Sequence, residues 1–196
     1  TNDAILFGQM VAAGSIAMTD GTQLNVNGRE TIRLRATNDI QISRLVNDST
    51  PAAMMPPTVI SVESTAGGII DSGDTGGVDI VTETVRLQAA TGIGGDGSAT
   101  DAALNEDPSM LPSADSVGDA MIEASAIDTE VRTVAASNTA GGDIRISNSI
   151  GELLVIGTAD GLSGVTNADG GLGGGVIQIT NESPIRVGPD FDAMPA

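Results

Sequence analysis

Carboxylates are the groups in this chain that could do chemistry: there are 26 of them, and Cys and His are absent. Three short stretches gather them with glycine. They are Asp71-Ser72-Gly73-Asp74, Asp96-Gly97-Ser98 through Asp101, and Asp160-Gly161 through Asn167-Ala168-Asp169-Gly170. Calcium takes six to eight oxygens at about 2.3–2.6 Å, drawn from carboxylates and from carbonyls that irregular glycine-rich loops expose. Asp71, Asp74, Asp96, Asp101, Asp160 and Asp169 are therefore the candidate Ca2+ ligands. None keeps EF-hand spacing, and the stretch from Gly94 to Asp101 lacks the large apolar residue that closes a calcium-binding nonapeptide. Asp, Asn and Gly are also turn formers, so a purely structural reading of each cluster stands beside the metal one.

The remaining inventory removes most other chemistry. All eight cations are Arg, so a Schiff-base or P-loop lysine is excluded. Without His or Cys there is no Ser/His/Asp triad, thiol nucleophile or thiolate zinc site. The pair Asp190-Phe191-Asp192 could in principle supply acid and base to a polysaccharide-cleaving enzyme, but Trp and Tyr, the usual sugar platforms, are missing. No catalytic residue and no organic cofactor is expected. A formal charge of −18 speaks against nucleic acid and anionic membrane surfaces, which need Lys/Arg patches. The apolar run from Ala4 to Met18 falls short of the roughly 20 residues of a membrane span and carries Gly8 and Gly14, so it is read as strands and no membrane insertion is expected.

The elements that position these residues follow from a spacing of eight. Met10, Met18, Val26, Leu34 and Ile42 recur at that interval. With residues two places earlier they form the pairs Ile16-x-Met18, Leu24-x-Val26, Ile32-x-Leu34 and Ile40-x-Ile42. A period of two marks a strand with one buried face. Turn formers such as Thr19-Asp20-Gly21 and Asn27-Gly28 separate the pairs. The phrase Gly-Gly-x-Ile-x-Ile returns at Gly141–Ile146 and Gly174–Ile179, followed by Leu153–Val155 and Ile185–Val187, with a weaker version at Gly76–Leu87. Gly makes up 26 of 196 residues, about twice the roughly 7% that is usual, and only two residues are aromatic. Stacked aliphatic strands with glycine corners account for both facts.

The expected fold is all-β, a right-handed parallel β-helix with short strands and long corner loops, over a single domain spanning 1–196. The alternative is an antiparallel β-sandwich. Loop insertions are placed near 47–58, 90–118 and 157–175. A chain starting at Thr1 is expected to be a segment or processed product of a longer one. Arg33 and Arg35 should point outward between inward Ile32 and Leu34.

In its repeat phrases, chiefly Gly141–Ile146 with Leu153–Gly157 and Gly174–Ile179 with Pro184–Gly188, the chain resembles secreted bacterial β-helical adhesins of the filamentous-haemagglutinin-like and autotransporter-passenger kinds. That resemblance implies an extracellular or cell-surface structural or adhesive module without catalytic residues. It also points to a self-assembling filament subunit, associating end to end with copies of itself or with neighbouring domains. The alternative function is a calcium-stabilised module binding a carbohydrate or a host receptor.

Overall fold

In the computed structural model, residues 9–26, 31–47, 57–73, 77–94, 126–168 and 175–188 are described. Strands and turns make up the described residues, with no helix among them. The chain runs in successive coils. The first holds β1 (Gln9–Ala12), β2 (Ile16–Ala17) and β3 (Gln23–Asn25), and the second β4 (Ile32–Ala36), β5 (Ile40–Ile42) and β6 (Arg44–Val46). The third holds β7 (Val59–Ser64), β8 (Ile69–Asp71) and β9 (Ile80–Val81). The fourth has β10 (Thr84–Ala89) and β11 (Ile127–Glu130), and the fifth β12 (Thr133–Asn138) and β13 (Ile144–Asn148). Next come β14 (Leu154–Ile156), β15 (Thr158–Ala159), β16 (Leu162–Ser163), β17 (Val165–Asn167), β18 (Ile177–Asn181) and β19 (Ile185–Val187).

Apart from β15 and β16, the strands pair in parallel with their counterparts in neighbouring coils. One sheet runs β1-β4-β7-β10-β12-β14-β19, with β17 pairing β12 beside β14. A second runs β18-β13-β11-β9-β6-β3, and β2-β5-β8 stack alongside it. Among the described residues the one antiparallel pair is β15–β16, which rules out the sandwich alternative. Long parallel sheets built coil upon coil are the arrangement expected of a parallel β-helix.

Register explains why the aliphatic residues sit where they do. Ile16 faces Ile40, 24 residues on, and the same column continues through Ile69, Ile93, Ile144 and Ile177. In the first sheet, Ile32, Ile60, Val85, Val134, Ile156 and Val187 form one inward column, and Met10, Leu34, Val62, Leu87, Ala136 and Val165 another. Most of these side chains have no solvent exposure. Burying an Ile or Leu in this way stabilises by about 1.5–3 kcal/mol each relative to exposure. The eight-residue beat is thus one strand of a three-strand coil. Two alignments shift: Val187 pairs with Ile156 rather than Val155, and Ile80 sits in the column of Leu45 and Thr129 rather than that of Ile144. The repeated Gly-Gly phrase at 76–87 therefore marks a different corner.

A fourth column changes character along its length: Leu24, Leu45 and Ile80 give way to Thr129, Asn148 and Asn181. Asn148 is buried and fully engaged. Its Oδ1 accepts from Thr129 Oγ1 and from the Val131 N–H, both at 2.9 Å, and its Nδ2 donates to the Val131 carbonyl and to Asn181 Oδ1 at 3.2 and 2.7 Å.

The region 157–175, expected to be a loop, opens with structure of its own. β14 and β17 pair with successive halves of β12, and between them the chain leaves the sheet as the β15–β16 hairpin. Asp160 and Gly161 form its two-residue tip, both with positive φ (45° and 82°). That is the geometry a type I′ turn requires, and Asp-Gly is a favoured pair for it.

Candidate functional site

The outward side chains of β1, β4, β7 and β10 are brought together by the same register. Gln9, Arg33, Ser61 and Arg86 form one outward column, and Val11, Arg35, Glu63 and Gln88 the next. Arg33 and Arg35 do point outward while Ile32 and Leu34 are buried. Together with Asp160 of the hairpin tip, all of these residues except Val11 and Gln88 line a groove of about 320 Å³.

Its polar groups form a connected set. Glu63 lies between two guanidinium groups, with Oε1 3.1 Å from Arg35 Nε and Oε2 3.2 Å from Arg86 Nη2. Arg86 also donates to Ser61 Oγ at 3.3 Å and to Gln88 Oε1. At the groove's edge Arg33 Nη2 meets Asp160 Oδ1 at 2.7 Å, 127 residues away in sequence. The hairpin that carries Asp160 packs on β12, where Ala135 faces outward in the column of Arg86 and is nonetheless fully buried. The wall is therefore anchored on the sheet.

The chemistry of this site is that of charge and hydrogen bonding. Ser61 has no imidazole to activate it, since the chain has no His, and both groove carboxylates are held by Arg. What the groove offers is guanidinium and amide donors. Three of the eight Arg meet here, although along the sequence they look scattered. Glu63 and Arg86 were not singled out in the sequence. Their only signal is an outward position in a strand, and the variable coil lengths hide the register that aligns them with Arg33 and Arg35.

Of the six candidate calcium ligands, Asp71 and Asp160 fall among the described residues; Asp74, Asp96, Asp101 and Asp169 lie outside them. Asp71, at the end of β8, accepts the Gly73 N–H through Oδ1 at 2.8 Å, a side-chain-closed turn. Asp160 forms the hairpin tip and the Arg33 ion pair. The Asp20 carboxylate also sits beside Gly73, and among the described residues no group of three or more metal-binding side chains occurs.

A second surface stands out at the last coil. Ile177, Ile185 and Val187 occupy the same columns as the buried Ile144 and Leu154 and the half-buried Ile156, yet they are 46%, 41% and 76% exposed. β18 and β19 are the outer strands of their sheets at this end.

Compared with protein families, with curated proteins and with solved structures, the chain finds no match.

Proposed function

We propose that this protein is a non-enzymatic, right-handed β-helical module that acts outside the cell as a structural or adhesive element and assembles end to end with further copies of itself. The observation that carries the reading is the apolar face of the last described coil. Three core positions are exposed there, and among the described residues no strand pairs with the outer edge of β18 or β19. Exposed sheet edges with apolar side chains are templates for strand addition. The best-matched occupant is the chain's own first coil, because its inward positions Met10, Ile16 and Leu24 belong to the columns that run through the rest of the stack. Ile16 of one copy set on Ile177 of another would extend the isoleucine column without a break. A head-to-tail contact of this kind does not close on itself and produces a filament. The extracellular setting rests on the resemblance to secreted β-helical adhesins.

Sedimentation velocity over a range of concentrations, with electron microscopy of the same samples, tests this. The wild-type chain should form linear oligomers, and Val187→Lys combined with Ile177→Lys should leave it monomeric with an unchanged circular dichroism spectrum. A wild-type chain that stays monomeric throughout, or oligomers that survive both substitutions, would overturn the proposal.

A further inference from the structure

We propose that the outer groove over β4, β7 and β10 binds the carboxylate of a small acidic saccharide unit, such as a uronic acid. The charge distribution makes the groove exceptional on this molecule. Over the whole chain carboxylates outnumber cations 26 to 8, whereas the groove holds Arg33, Arg35 and Arg86 against Glu63 and Asp160. In this groove the balance is inverted.

Donors are left over after the internal pairs are made. Arg35 meets Glu63 through Nε, which leaves its two terminal amino groups as further donors. Arg33 uses Nη2 for Asp160, which leaves Nε and Nη1. The two side chains are 47% and 58% exposed and lie two residues apart on one face of β4. Planar guanidinium groups match the oxygens of a carboxylate and hold them in fixed orientation. Ion pairs to Glu63 and Asp160 fix the arginine groups before any ligand arrives, which lowers the ordering cost of binding. Arg86, only 13% exposed, holds Glu63 from the opposite side.

The lining also sets the ligand class. Gln9 and Ser61 beside the arginine groups offer hydrogen bonds suited to hydroxyls, and no aromatic side chain lines the groove to favour a flat apolar ring. Its volume is at the small end for ligand sites, enough for a short ligand rather than a large one. Asp160 of the hairpin tip lines the groove beside Arg33, so a ligand carboxylate would meet the arginine groups next to it.

Isothermal calorimetry and NMR titration with galacturonate and digalacturonate test the assignment, with galactose and inorganic sulfate as comparisons. The acids should bind, galactose should bind at least tenfold more weakly, and Arg35→Gln and Arg33→Gln should each weaken the acids about tenfold or more. Arg132→Gln, whose guanidinium pairs with Glu152 elsewhere on the surface, should leave binding unchanged. The proposal fails if neither acid binds at tens of millimolar, if galactose binds as well as the acids, if sulfate competes equally well, or if both groove variants bind like wild type. Because both arginine side chains are solvent-exposed, the variants should fold, and their circular dichroism spectra and melting temperatures check this. Titrations on the end-blocked Val187→Lys, Ile177→Lys chain separate failure of this assignment from failure of the assembly proposal.

Discussion

Asn148 shows how a single side chain can hold a coil that has no hydrocarbon to spare. The amide replaces an aliphatic group in the fourth column and makes four hydrogen bonds, two of them to the backbone of Val131, which is itself buried. Removing the amide leaves the Val131 N–H and C=O without partners, and each buried unpaired group costs about 1–3 kcal/mol. Asn148→Ala should therefore lower unfolding stability by about 2–4 kcal/mol, seen as a reduced urea midpoint. Asn148→Leu distinguishes hydrogen bonding from volume: it fills the space yet should recover little of the loss, and full recovery would show that packing is the main contribution. In the sequence, Asn148 looks like any turn-forming asparagine, because an alternation rule scores only hydrocarbon. The inward Ile144 and Ile146 two positions apart were legible for the same reason that Asn148 was not. Asp160 next to Gly161 fits both a calcium loop and a turn in the sequence; the backbone places the pair at a hairpin tip.

At the scale of elements, the corners decide which coils can stack. Two residues before Ile144 and Ile177 in the isoleucine column stand Gly142 and Gly175, and successive corners approach backbone to backbone there. A methyl group on Gly142 would run into the Thr91 carbonyl, and one on Gly175 into the Gly142 carbonyl. Gly142 also has a φ of +95°, which an L side chain rarely adopts. The corner is tied further by Asp143, whose Oδ1 accepts the Val176 N–H at 2.8 Å and whose Oδ2 pairs with buried Arg145 at 2.8 Å. Gly142→Ala combines overlap and strain and should cost more than about 2 kcal/mol, by the same urea measurement. Gly151→Ala is the control. Space around its Cβ is open and its φ is not in the left-handed region, so it should be neutral or stabilising by up to about 1 kcal/mol. Equal effects of the two substitutions would mean that corner contact does not limit stacking. Gly-Gly phrases made these corners legible. The hairpin was missed because a tip of two residues flanked by two-residue strands is too short for alternation to register, leaving Asp160-Gly161 as the sole sign.

For the whole molecule, stability should grade from the middle of the stack toward the open end, because each coil is supported only by its neighbours. Coil lengths vary, with Ile16 and Ile40 being 24 residues apart but Ile40 and Ile69 being 29, so the overall architecture was legible from composition and beat while the register was not. Without the register, neither the gathering of three Arg in one groove nor the uncovered core at Ile177 and Val187 could be located. Amide hydrogen exchange reads the gradient directly. In the monomer, β18 and β19, like β1, β2 and β3, are paired on one side only among the described residues and should exchange fast, while β10 and β12, enclosed on both sides, should exchange most slowly. If copies join head to tail, an added coil supplies the missing partner strands. Protection in β18 and β19 should then rise toward that of β12 as assembly proceeds, and β10 should change little. A rise confined to other strands would place the contact between copies elsewhere, and a profile unchanged on assembly would mean that no strand is added at this end. The comparison is informative because the same backbone amides report an end coil of the monomer and the surface on which the next copy would sit.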